Sequence, residues 1–145
     1  MRGKNHAITG ILFLTIILTI DLFTGLKIYD IITKTNPAIT ILAIYTFFAG
    51  ILLPDADKFG TWIFKFFLPF AITSYLIGLT ISTIQGKKFK HRGFLHTNLG
   101  IIITSITTAL IALLFSTIFV KPTIITGTIF FSSTIIGQII HKLFD

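Results

Sequence analysis

Cysteine is absent from this 145-residue chain, and so is glutamate. The first absence excludes disulfides and thiolate metal sites, so any metal bound here must be held by histidine and carboxylate. The second leaves aspartate as the only acid, at Asp21, Asp30, Asp55, Asp57 and Asp145. Charge of any kind is scarce, at 12% of residues against roughly 25% in an ordinary soluble domain. Apolar residues reach 53%, and mean hydropathy is +0.92. The few charges are clustered and leave uncharged runs far longer than a strand of about 5–6 residues. In lipid such runs must satisfy their own backbone groups, which a helix does. The fold expected is all-α, a polytopic transmembrane helical bundle forming a single integral membrane domain over 1–145.

The four prolines mark its joints. An apolar run from Ala7 to Leu26 follows the basic start Arg2, Lys4. It reads as a retained first span rather than a signal peptide, because no small-residue cleavage site follows it. Asp21 falls near its far interface. Pro37 opens a second span, about 37–53, which Pro54 stops. The third and fourth spans are expected at about 98–120 and 123–140, with Lys121 and Pro122 in the turn between them. The stretch 61–84 is ambiguous. It is long enough to cross, since about 20 apolar residues suffice, but Lys65 and Pro69 interrupt its first half.

Lysine and arginine decide between the two topologies. If 61–84 crosses, the N-terminal side holds Arg2, Lys4, Lys58, Lys65 and Lys121, and the other side holds the remaining seven basic residues. If it does not cross, only Lys27, Lys34 and Lys121 stand opposite the N-terminal side, which then holds nine. The second division is a positive-inside pattern. It predicts four full spans, an interfacial or re-entrant segment 61–84, and both termini in the cytoplasm. The net charge of +7 is explained by these flanks, so no nucleic-acid partner is expected.

The same topology gathers the groups able to do chemistry. His6 precedes the first span, and Asp55 and Asp57 follow the second. His91 and His96 precede the third, and His141 and Asp145 close the fourth. Asp55-x-Asp57 places two carboxylates in one loop, although aspartate is common in turns that bind nothing. Gly93 permits a turn between His91 and His96, whose spacing does not share a helix face. His141 and Asp145 are an i,i+4 pair that points one way. All four histidines and three of the five acids thus occupy short polar islands on one face. Histidine with carboxylate suits Zn, Mn or Fe, and one or two such ions can activate water and clamp a phosphoryl or acyl group.

The blocks Leu52-Leu53-Pro54-Asp55-Ala56-Asp57, His91-Arg92-Gly93-Phe94-Leu95-His96-Thr97 and His141-x-x-x-Asp145, with the early His6, resemble the LexA-regulated inner-membrane metal-dependent hydrolases. That family carries LPDxDH, HRGxTHS and HxxxD blocks in the same order. The resemblance spans almost the whole chain and implies a polytopic membrane hydrolase. Lys58 stands where the first block has histidine, and Leu95 and Thr97 replace its Thr and Ser in the middle block.

The expectation is therefore a membrane-bound metal-dependent hydrolase, acting on a phosphoester of a membrane lipid at the cytoplasmic interface. Asp55, Asp57, His91, His96, His141 and Asp145 are the candidate metal residues, with zinc as the first choice and Mn or Fe as alternatives. His6 is a candidate ligand or general base, and Arg92 would stabilise phosphoryl charge. The membrane lipid is both solvent and substrate. The alternatives are a non-catalytic protein with a structural metal site and a small transporter. The latter should place polar groups mid-span, where mainly Thr, Ser and Asp21 are found.

Overall fold

The computed structural model describes residues 2–25, 36–89 and 93–144. These form helices and turns, with no strand among the described residues. The helices are α1 (Arg2–Thr24), α2 (Pro37–Leu52), α3 (Trp62–Phe66), α4 (Leu68–Ile84), α5 (Asn98–Ser116) and α6 (Ile124–Phe144). Two 3-10 turns, Leu53–Asp57 and Phe94–His96, join them. Four helical stretches are long and apolar enough to cross a membrane: Ala7–Thr24, Pro37–Asp57, Asn98–Ser116 and Ile124–Phe144. The fold is the all-α membrane bundle expected.

Local chemistry sets the helix ends. Asn36 caps α2, its side-chain oxygen accepting from the Ala38 amide at 2.9 Å, and Pro37 occupies the first turn, where its missing N–H costs nothing. The ambiguous stretch 61–84 resolves into two helices broken at Phe67 (φ −132°, ψ 41°). Pro69 explains the break. It fits the first turn of α4, but a helix continued through it would lose a hydrogen bond and clash with the preceding turn. At 17 residues, α4 is about 25 Å long, slightly short of the ~30 Å hydrocarbon core. It packs on both 3-10 turns and on α5.

Small residues let the helices approach closely. The buried face of α5 is Gly100, Ile101, Thr104, Ser105, Thr108, Ala109, Ala112 and Ser116. The buried face of α6 includes Phe130, Thr134, Gly137, Gln138 and His141. Both stripes have helical spacing, and that of α5 is mostly glycine, alanine, serine and threonine, as expected where packing rather than hydrophobicity drives helix association. Gly50 and Gly137 mark the contact of α2 with α6. A Cβ at Gly50 would strike the Thr134 carbonyl, and one at Gly137 would strike the Phe47 carbonyl and lie 2.9 Å from the Ile51 nitrogen.

Helix α1 is peripheral, with Ile11, Leu12, Ile16, Leu22 and Phe23 exposed where lipid would cover them. It is anchored through its first half, where Gly10 meets Ile51 and Phe13 packs with Phe47, Ile51 and Ile140. The start of α1, the end of α2 and the end of α6 therefore share one end of the bundle. Ten threonines, four of them on α1, donate their hydroxyl to the carbonyl four residues earlier. All but Thr104, whose hydroxyl also reaches Gln138 of α6, do so without a hydrogen-bond partner on another helix among the described residues.

Candidate metal centre

Three segments deliver one side chain each to that end of the bundle. The first is the turn Leu53–Asp57, which stops α2 with Pro54 in its first turn and buries Asp55. The Thr61 hydroxyl lies 3.2 Å from the Asp55 carbonyl and 3.0 Å from the Lys58 carbonyl, and folds the following loop back on the turn. Gly60 makes the reversal at φ +83°, a left-handed conformation that costs glycine nothing.

The second is the turn Phe94–His96, which leads into α5. Thr97 caps that helix. Its Oγ1 accepts from the Gly100 amide at 3.0 Å and donates to the Phe94 carbonyl at 2.7 Å. Gly100 has no Cβ where one would strike that same carbonyl. Leu95 is buried and fits against Gly78 of α4, where an added Cβ would lie 3.3 Å from it. Capping and packing together fix the turn that carries His96.

The third is the last turn of α6, which holds His141 at 1% exposure. Its Nδ1 lies 2.7 Å from the Ile51 carbonyl oxygen. A carbonyl only accepts, so Nδ1 carries the proton and a neutral ring keeps its lone pair on Nε2. Backbone carbonyls orient metal-binding histidines in this way. The glycine contact at Gly50 and Gly137 brings that carbonyl within reach.

Asp55, His96 and His141 converge, with one ligand atom from each lying within 4.8 Å of the others. The two imidazoles are 5.4 Å apart between centroids, at 61°. Each histidine has other contacts, but its Nε2 is buried and makes no hydrogen bond to the described residues. Ligands of a tetrahedral zinc at about 2.0–2.2 Å from the ion lie roughly 3.3–3.6 Å from one another. Shifts of about 1 Å would close the three atoms onto such an ion. One carboxylate with two imidazoles also matches a zinc donor set that leaves a fourth position open. The residues present fit a divalent metal.

The other sequence candidates divide. Asp57 ends the same 3-10 turn but is not one of the three convergent groups. At 3.0 residues per turn, side chains two positions apart diverge by roughly 120°, so a turn that buries Asp55 directs Asp57 elsewhere. Lys58, which follows that turn, is exposed. His6 lies on α1, one turn before Gly10, which meets Ile51, but its side chain is outside the described part of the structure. His91, Arg92 and Asp145 lie outside the described residues.

Sequence reasoning missed the supports of this site. Gly137 and the Ile51 carbonyl leave no signature in composition. Gln138 does, as a strongly polar residue in the last span, and it is fully buried.

A bundle of membrane-length helices with carboxylate and histidine gathered at one end defines a polytopic membrane protein with a possible metal-binding triad. A family model described as YdjM inner membrane protein matches residues 1–145. The chain belongs to the YdjM inner membrane protein family, and it is a membrane protein. No curated protein and no solved structure matches it.

Proposed function

We propose that this protein is a metal-dependent hydrolase of a phosphoester in a membrane lipid, working at the cytoplasmic interface. The observation that carries this reading is the convergence of Asp55, His96 and His141 within 4.8 Å at one end of a membrane bundle. Those three residues would hold a divalent cation, zinc first and Mn or Fe as alternatives. When bound, such an ion supplies Lewis acidity toward a phosphoryl oxygen and makes water nucleophilic at neutral pH. The chain's own residues do the rest. The Ile51 carbonyl keeps His141 in the required tautomer. Asp55 and His141 are buried and hold the site rigid, and His96 is only partly buried, which leaves an approach for a headgroup. A carboxylate not saturated by the metal would take the proton from water, with His6 as the other candidate base. Arg92 would neutralise charge on the phosphoryl group, and His91 would complete or brace the metal shell. The cytoplasmic orientation rests on the nine-to-three division of basic residues.

The test is elemental analysis of the purified protein, followed by a headgroup-release assay on a panel of lipids. About one equivalent of metal, lost in His141→Ala, with phosphate-ester release from at least one lipid, is expected. Metal without turnover on any lipid would make the site a structural one. Negligible metal in the unaltered protein would sink the reading.

A further inference from the structure

One turn below His141, the apolar core of the bundle contains a primary amide. Gln138 is fully buried, and both ends of its side chain are used. Its Nε2 donates to the Ser105 hydroxyl at 3.0 Å, and its Oε1 accepts from the Thr104 hydroxyl at 3.1 Å. Both partners are on α5, are themselves buried, and are adjacent in sequence. The single Thr104 hydroxyl proton is shared between the Gln138 Oε1 and the Gly100 carbonyl, the latter at 2.7 Å. Gly100 is the residue held by the Thr97 cap and pressed against the turn that carries His96. A connected set of polar contacts thus runs from the turn bearing one histidine, through the start of α5, to the amide below the other.

A buried amide in lipid is expensive unless it is fully bonded, and leucine would fill the same volume. Two bonds to adjacent residues of one helix do what apolar packing cannot, because they fix rotation. Rotating α6 about its axis by one residue, roughly 100°, would break both bonds and swing His141 away from His96. On the α5 side, apolar contacts along a face of small residues resist such slippage only weakly, since lipid is as apolar as the side chains it would replace. On the α2 side the Gly137 contact and the His141–Ile51 bond resist it as well.

We infer that Gln138 is a positioning residue for the metal centre. Its amide locks the rotation of α6 against α5 and so sets His141 at the distance from His96 that a shared cation requires. The metal half of this statement rests on the metal centre proposed above, and the rotational half does not.

The experiment uses the full chain carrying Gln138→Leu, in detergent or nanodiscs, with two readouts. The first is the distance distribution between nitroxides at Leu99→Cys and Leu143→Cys. Both positions are exposed beside the site, and the labelling is specific because the chain has no other cysteine. The second is cobalt(II) affinity with its visible absorption band. A broadened or shifted distance, cobalt affinity weakened about 10–100-fold and an altered band are expected. An unchanged distance, or unchanged cobalt affinity in a folded variant, overturns the inference, whatever happens to thermal stability. If the unaltered protein binds no cobalt while Gln138→Leu still broadens the distance, the metal centre falls and the rotational lock stands. Should Gln138→Leu fail to fold, Thr104→Val with Ser105→Ala removes the same two bonds from the α5 side and is read the same way.

Discussion

His141 and Ile51 are ninety residues apart in sequence, yet the Nδ1 of one lies 2.7 Å from the carbonyl oxygen of the other. That contact joins the last turn of α6 to the last turn of α2. It fixes the tautomer of a buried histidine, and it exists because Gly137 and Gly50 let two backbones meet.

Gly137→Ala is therefore expected to destabilise the protein by about 1–3 kcal/mol, the usual range for overpacking, and to weaken metal binding. The control lies in the same helix. A Cβ at Gly127 would meet only Leu113, at 3.8 Å, an ordinary contact. Gly127→Ala should leave stability within about 0.5 kcal/mol and metal binding unchanged. Thermal melts in one detergent, with cobalt titrations, compare the two. Equal effects from both would remove the role given to the α2–α6 contact.

Asp55→Asn and Asp57→Asn should part company. Asp55 is buried and convergent with the two histidines, and Asp57 is not one of the three. Metal stoichiometry should fall toward zero in the first and stay near the unaltered value in the second. Equal loss in both would mean that the 3-10 turn opens to bring two carboxylates to the ion.

Thr97→Ala removes the cap of α5 and should cost about 1 kcal/mol. Thr97→Ser keeps the hydroxyl that bonds Gly100 and Phe94 and should restore most of it. Because the capped turn carries His96, metal affinity should follow the same order. Chemical denaturation and cobalt titration of the two variants check this.

Trp62 is the only tryptophan, and it sits partly exposed in α3, beside exposed Phe66. If α3 and α4 lie in the interface, lipids brominated near the headgroup should quench its fluorescence more than lipids brominated near the chain end. Stronger quenching from the deep bromines would place the tryptophan in the hydrocarbon core and overturn the interfacial segment.

Much of this was legible before any coordinates. Uncharged runs specified helices, and Pro37, Pro54 and Pro69 marked ends that the structure retains. Asp55, His96 and His141 were each chosen from type and position. What escaped was angular. The spacing Asp55-x-Asp57 reads as a pair until the 3-10 geometry of the turn separates the two side chains. The glycines of the α2–α6 contact and the carbonyl of Ile51 carry no chemical label, since their role depends on which backbones meet. Gln138 is a polar residue in the last span that sequence reasoning passed over, and its partners lie 33 and 34 residues away, where no local period points to them. The final helix also runs on to Phe144 rather than ending near 140, which puts His141 inside its last turn.

The ten self-bonded threonines bear on how the chain enters the bilayer. A helix whose hydroxyls bond its own carbonyls carries no outstanding polar debt and can partition into lipid alone. The hydroxyls of the span Ala7–Thr24 are of that kind, and its mean hydropathy is 2.1, with Asp21 as its one charged residue. Helix α6 is different. It has the lowest hydropathy of the four spans, 1.4, and its Gln138 and His141 bond to α5 and α2. It is also the last of the four to leave the ribosome, when both partner helices are already made. Chain order thus serves as an assembly order, with the helix least able to stand alone in lipid arriving after the surfaces that receive it.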